Sequence, residues 1–315
     1  MDEGLTNTPE RGGHGGDKIG HVPVLLKEAI DFLAIKRGGT YIDATVGLGG
    51  HSLEIAKRLG APGHLIGLDK DPAALDEARG RLISSGGGSW PEVTLLHGSF
   101  AEIGERLESA SADGLLADLG VSSLQLDTPS RGFSFQAEGA LDMRMNPQAG
   151  PTAEQVVNEV DEVTLANLIY EFGEERRSRR IARAIVRSRP ILTTAHLAAV
   201  ISAAARPMNR VKDKYDSRIH PATRTFQALR IFVNHELDDL QALLKATPRV
   251  LKPSGRVVII SFHSLEDRIV KDAFREGVKL GHYQLLTKKP VTAREEEIDR
   301  NPRSRSAKLR AAERI

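Results

Sequence analysis

The sequence predicts an α/β fold, a parallel and doubly wound sheet interrupted by a helical insertion. Three observations carry this. Short apolar runs alternate with amphipathic stretches over residues 21–120, the pattern of strand–helix–strand units. That rhythm then stops, and the next buried-strand pattern, RVVIISF (256–262), comes about 140 residues later, far beyond what a strand crossover needs. The interval is helical and charged, as in ANLIYEFGEERRSRRIARAIVRSR (166–189).

The elements follow in order. HVPVLLKEAIDFL (21–33) reads as an amphipathic helix and TYIDA (40–44) as a strand. GHSLEIAKRLG (50–60) is a helix closed by Gly60. GHLIGLD (63–69) is a second strand, and PAALDEARGRLI (72–83) a helix opened by proline. EVTLLHGSF (92–100) and GLLADLG (114–120) supply two more strands. An inserted helical, basic domain for substrate recognition is expected over 126–219. The sheet domain, in two pieces (21–125 and 220–315), resumes with a helix over 222–244, whose apolar positions 226, 229, 233, 237, 240 and 244 share one face. LLTKKP and AKLRAAERI are expected as edge strands. Residues 1–20 lack an apolar core of the secretory type and read as a flexible tail.

Composition narrows the function. No run of about 18 apolar residues is present, so no membrane span and no membrane partner are expected, and a cytoplasmic location fits the absence of cysteine. The absence of cysteine excludes disulfides, thiolate zinc sites and a cysteine nucleophile. No histidine pair has i, i+4 spacing, and no metal is expected. From Glu174 to Arg230 the chain carries fourteen Lys/Arg against four acids, a net +10 that leaves −8 on the rest of a chain of net charge +2. Such a block fits a polyanionic partner; the bland reading is a solvated helix face.

The stretch DATVGLGGHS (43–52) raises the question of a ligand. A glycine turn after a strand can cradle a phosphate, bind a nucleoside sulfonium, or simply reverse the chain. The phosphate fingerprint is imperfect, because Ser52 stands where a third glycine would pack helix on strand. Asp43, at the end of the strand, would repel phosphates at that helix N-terminus. S-adenosylmethionine carries a sulfonium and an ammonium, which welcome carboxylates. Asp69 ends the second strand, placed for ribose hydroxyls, and Asp118 ends the fourth. Asp71 would cap the next helix. Phe100 either packs in the core or lines an adenine pocket. His51 either binds the cofactor or merely follows the turn.

Without cysteine, the covalent route to pyrimidine C5 is closed, leaving a nitrogen or oxygen acceptor. An exocyclic amine needs groups that hold its N–H bonds and turn its lone pair toward the methyl. Asp118 and Ser122 in DLGVSS (118–123) suit that task. A second polar cluster, SFHSLEDR (261–268), offers His263; there Ser264 with Glu266 and Asp267 also reads as a helix cap.

Together, HVPVLLKE, DATVGLGGHS, DLGVSSLQLD (118–127), RGFSF (131–135), LDMRM (141–145), GEER (173–176), RIARAIV (180–186), HPATRTFQALRI (220–231), FHSLEDRIVK (262–271) and NPRSRSAKLR (301–310) resemble the RsmH (MraW) family. The resemblance spans about 21–312. It implies a Rossmann-like class I methyltransferase sheet with an inserted helical domain. It implies S-adenosylmethionine-dependent methylation of the N4 amine of a cytidine in the decoding region of 16S ribosomal RNA, with that RNA met within the small ribosomal subunit and with no DNA partner. DNA amino-methyltransferases usually carry Pro-Pro-aromatic where this chain reads LGVSS. The family's cofactor contacts fall on Gly49, Gly50, His51, Asp69, Phe100, Asp118 and Gln125, beside Asp43 and Gly47 from the turn itself. Arg131, Phe133 and Arg144 are expected to shape the base pocket, and Arg176, Arg180, Arg183, Arg224 and Arg230 to hold phosphates. The chain departs from the family at Leu124, where proline is usual, and at Ala140 and Asn146. The rivals are an NAD-linked oxidoreductase and a non-catalytic RNA-binding module on the same fold.

Overall fold

The computed structural model describes residues 23–84, 88–206 and 220–315. The expected tail, and Arg210, Lys212, Lys214 and Arg218 of the basic segment, lie outside the described residues.

The first half alternates as its periodicity requires: α1 (Leu26–Leu33), β1 (Thr40–Asp43), α2 (Gly50–Leu59), β2 (His64–Asp69), α3 (Pro72–Ser84), β3 (Glu92–His97), α4 (Ile103–Arg106) and β4 (Ala112–Asp118). The third strand stops at His97, because Ser99 caps a short 3₁₀ turn that begins at Phe100. Asp43, Asp69 and Asp118 are the last residues of β1, β2 and β4. The parallel arrangement therefore puts all three carboxylates on one edge of the sheet.

Beyond β4 come α5 (Ser123–Asp127), α6 (Ala153–Glu159), α7 (Glu162–Gly173), α8 (Ser178–Arg187), α9 (Thr194–Ala205), α10 (Thr223–Asn234) and α11 (Glu236–Val250). Thr152 and Gln155 form a capping box on α6, and Asp161 caps α7. The expected single helix over 222–244 is two helices, broken at His235 in the left-handed region (φ 53°). The reason is packing. Phe226, Leu229 and Val233 of α10 join Val157, Leu165, Ile169, Ile181, Ile185, Leu197 and Ile201 in a helical core. Leu240, Leu243 and Leu244 of α11 instead join the sheet core with Ile103, Leu115 and Val257. Burying each such side chain contributes about 1.5–3 kcal/mol, which outweighs the roughly 1–2 kcal/mol cost of one left-handed residue. The helical cluster thus reaches past 219 to take in α10.

The chain then completes the sheet with β5 (Leu251–Ser261), α12 (Ser264–Lys279), β6 (Tyr283–Leu285), β7 (Val291–Thr292), α13 (Glu295–Arg300) and β8 (Lys308–Arg314). Strand order is β3-β2-β1-β4-β5-β8-β6, with β7 also paired to β8. β1 to β5 run parallel, and β8 is antiparallel to both β5 and β6. The expectation of two edge strands therefore fails for AKLRAAERI, which lies inside the sheet with Leu309, Ala311 and Ala312 fully buried. Alanine is a weak strand former, so its pattern under-reports this role. β5 also starts earlier than expected. A register shift against β4, from Ala112↔Leu251 to Gly114↔Arg256, absorbs Lys252–Gly255. The order reverses between β1 and β4, where loops diverge and open sheets of this kind place their ligands.

Candidate active site

The glycine turn lies at that divergence. Gly47 (φ 51°) and Gly49 (φ 78°) are left-handed, a conformation that favours glycine. A side chain on Gly47 would meet only Ser122, at 4.0 Å, so the turn opens toward the loop after β4. One on Gly49 would press on Ala78 of α3 at 3.3 Å. Gly50 is helical, yet its added Cβ would sit 2.4 Å from Pro23 Cγ. Gly50→Ala is therefore expected to push the Pro23–Leu25 segment off α2 and to lower cofactor affinity about tenfold, checked by calorimetric titration with Gly50→Ser as a second clashing substitution.

Ser52, the apparent defect in the glycine pattern, donates its hydroxyl to Asp43 Oδ2 at 2.6 Å, both groups fully buried. Asp43 Oδ1 accepts the Thr45 amide. Asp69 Oδ2 accepts the Gly47 amide at 2.7 Å, and Oδ1 accepts that of Asp71. Burial dominates both carboxyls and lifts each to about 6, against those hydrogen bonds. Asp118 differs. Its amide donates to Thr45 Oγ1 at 2.6 Å, but its buried Oδ1 has no partner. Burial first, and then the negative charges of Asp43 and Glu266, hold its carboxyl well above the usual range. His51, almost wholly buried, places Nε2 3.1 Å from the Val24 carbonyl oxygen and Nδ1 3.6 Å from Asp118 Oδ2.

The carboxylates thus converge with one orphaned oxygen beside an open glycine turn. That arrangement fits a cationic ligand and opposes a phosphate. Phe100 is half-buried and packs its ring against the sheet core behind this edge.

Around the crevice, several expected ligand residues are already engaged. Ser122 caps α5 by accepting the Gln125 amide, and Gln125 Oε1 accepts the Ser122 amide in return. Gln125 Nε2 donates to the buried Asp71 at 2.9 Å. Asp71 caps α3 by accepting the Ala73 amide. Arg131 donates to the same Asp71 oxygen at 2.8 Å and, through its other nitrogen, to the carbonyls of Arg144 and Met145. Asn234, at the end of α10, donates to the Met143 carbonyl and accepts the Met145 amide. The LDMRM segment is thereby stitched to both the carboxylate edge of the sheet and the helical core. Arg144 is held bidentately by Asp142. Phe133 is buried, with Arg131 stacked 5.8 Å from its ring centre. Arg131 and Phe133, expected to shape the base pocket, are thus engaged with other parts of the protein.

A second polar knot lies behind β4 and β5. His263, and not Ser264, caps α12, with Glu266 returning the bond to the His263 amide. Ser264 Oγ instead donates to Glu174. Glu236, His263 and Glu266 each bring one donor atom to within 4.8 Å of the others. A guanidinium supplies the positive charge there: Arg230 binds Glu236 bidentately at 2.8 and 2.7 Å. Arg230, expected to hold a phosphate, is mostly buried in this pair. The remaining basic residues are at the surface. Arg183 pairs with Glu162 at 3.2 Å, Arg224 lies 3.8 Å from Glu175, and Arg180 donates to the Arg206 carbonyl. Arg176 is exposed before α8, and Arg179, Arg183 and Arg187, four residues apart, share the exposed side of that helix. Thr45, Asn234 and Glu236 were not legible as site residues. Only the capping pattern at His263–Glu266 offered a signal.

Over residues 18–315 the chain matches the model of the MraW methylase family. The chain belongs to that family. Relatives agree with the assignment along almost their whole length. A ribosomal RNA small subunit methyltransferase H of Koribacter versatilis is 68% identical over 311 residues, 98% of both chains. One of Acidobacterium capsulatum is 62% identical over 296 residues, 93% of this chain and 98% of that one. One of Pelobacter propionicus is 50% identical, covering 94% and 98%. Membership of the MraW methylase family brings its cofactor with it: S-adenosylmethionine.

Proposed function

We propose that this protein transfers a methyl group from S-adenosylmethionine to the N4 amine of a cytidine in the decoding region of 16S ribosomal RNA. The coarser part, S-adenosylmethionine-dependent methylation of ribosomal RNA, follows from family membership and from what its near-full-length relatives are. The finer part rests on the resemblance of the motifs and on one observation, the unpartnered Oδ1 of Asp118 beside the glycine turn. When bound, the cofactor supplies a methyl already activated on sulfur. The protein then needs to align and to exclude water. Asp43 and Asp69 offer buried negative charge to the cofactor's cationic and hydroxyl groups. Thr45 fixes the backbone of Asp118, whose free oxygen can accept an amine N–H. Asp71, Gln125 and Arg131 tie that edge to the loop that enters the helical part, which we assign to substrate recognition.

The target base must be unpaired or flipped to reach the crevice, and the surface arginines of α8 are placed to hold the flanking phosphates. Binding should then weaken steeply with salt. Arg179→Gln with Arg187→Gln should reduce the slope of log affinity against log salt by roughly 2, about one per phosphate contact, measured by RNA titration at several salt concentrations. An unchanged slope would remove α8 from the interface. The reading as a whole is tested by labelled methyl transfer to small subunits, free ribosomal RNA and DNA, followed by mapping of the labelled nucleotide. A label on another atom, or on DNA, would refute it. No helix among the described residues is long and apolar enough to cross a membrane, which is compatible with the cytoplasmic location proposed here.

A further inference from the structure

The reaction has a proton to dispose of, and the crevice has one group placed to take it. This inference rests on the amine-methylating reading above. The amine lone pair forms the new C–N bond, the C–S bonding pair returns to sulfur, and one N–H proton must leave the nitrogen. The cationic donor becomes a neutral thioether in the same step.

The groups facing Asp118 come from every surrounding element. Asp43 approaches from β1 and Glu266 from α12, and both raise its carboxyl electrostatically. His51 of α2 stands 3.6 Å away through Nδ1. Its Nε2 lies 3.1 Å from the Val24 carbonyl oxygen, which cannot donate, so the neutral ring carries its proton on Nε2. Nδ1 is then left as an acceptor facing Asp118. Thr45 contacts the Asp118 amide and leaves the carboxyl alone. Behind Glu266, His263 lies 3.1 Å away, and Arg230 is committed to Glu236. Apart from His51, no group that can carry positive charge is paired with the Asp118 carboxyl among the described residues, and its Oδ1 is buried without a partner. A carboxylate with one oxygen buried and unpartnered is favoured by either a proton or a bound cation there.

We propose that Asp118 alternates between these two partners: it gives up a proton when the cationic cofactor binds, and regains one at Oδ1 from the amine as the methyl is transferred. The charge of the pocket is then the same before and after chemistry. The thioether product leaves a protonated Asp118 with nothing to hold it electrostatically, so product exchange is driven by loss of charge attraction. The proton reaches solvent only when the next cofactor enters.

The test needs no RNA. S-adenosylmethionine and S-adenosylhomocysteine share the nucleoside and the amino-acid part and differ in the sulfonium. Titration calorimetry of the full chain at about pH 6.5, in buffers of different ionisation enthalpy, counts protons exchanged on binding each. The expected result is release of close to one proton with S-adenosylmethionine and almost none with S-adenosylhomocysteine. S-adenosylmethionine affinity should also rise with pH by up to about tenfold per unit while the proton is still bound, and S-adenosylhomocysteine affinity should stay flat. Equal proton counts for the two would overturn the inference while leaving the methyltransferase reading intact; failure to bind S-adenosylmethionine at all would sink that reading instead. Asp118→Asn should abolish the difference. If release persists in that variant, the proton belongs to Asp43 or His51 and the proposal is wrong. Should the variant not fold, the wild-type comparison decides alone.

Discussion

Replacing Asp43 by asparagine is expected to make the cofactor-free protein more stable while removing most of its affinity for S-adenosylmethionine. The stability gain follows from the sign of the shift. The Asp43 carboxyl is lifted from 3.8 to about 6 by burial, with Asp69 adding a smaller push. Its folded-state value exceeds its unfolded one, so the folded protein keeps a proton that the unfolded chain has already lost. Stability therefore falls as pH rises from about 4 to about 6, and the full cost remains above that. At 1.36 kcal/mol per unit the cost is roughly 3 kcal/mol. Asparagine keeps an oxygen for the Thr45 amide and an amide to pair with Ser52, but carries no charge. Thermal unfolding of the two proteins should coincide near pH 4 and diverge by several degrees above pH 6. Loss of one buried charge-assisted contact, about 1.5–3 kcal/mol, should weaken cofactor binding roughly 10- to 150-fold. A variant that binds normally would show that Asp43 is a structural acid only.

The second large effect concerns Arg131. It is expected that Arg131→Met destabilises the protein by about 3–5 kcal/mol, the usual result of leaving a buried charge without its partner. Asp71 is fully buried and would retain only Gln125 and a backbone cap. The loss should be mostly recovered in the double variant Arg131→Met, Asp71→Asn, because the uncompensated charge goes with its partner. Denaturant unfolding of the four proteins in a double-mutant cycle gives the coupling directly. Simple additivity of the two single losses would mean that Arg131 acts through its bonds to the Arg144 and Met145 carbonyls and not through Asp71.

These two residues also mark the limit of what the sequence discloses. Asp43 was legible because a strand ends there and a glycine turn follows; position and chemistry could be read from one local window. The parallel strands β1 to β4, and the acids that end β1, β2 and β4, were legible for the same reason. Arg131 was not, because an arginine's partner depends on a residue sixty positions away, and an exposed and a buried arginine look alike in sequence. Arg230 and Glu236 show the point more sharply. Six residues apart, they would not face each other on a continuous helix. They meet because the chain turns at His235, where neither glycine nor proline announces a break. β8 was read as a strand but placed at the edge, because its interior position is set by partners, not by its own alternation.

That strand has a consequence for how the protein is made. β5 carries the apolar run Val257–Ile260 and leads to Glu266, and its outer edge is closed by β8, which pairs Ser261 with Lys308. Those two positions are 47 residues apart. During synthesis, β5 leaves the ribosome well before its neighbour exists, so a row of unpaired amides and carbonyls on a greasy strand waits in the open. Such an edge is a template for joining another chain. The nascent enzyme is therefore most prone to self-association during a defined interval, after Ser261 has emerged and before Lys308–Arg314 arrives, and a shortened chain lacking that last strand would never leave it.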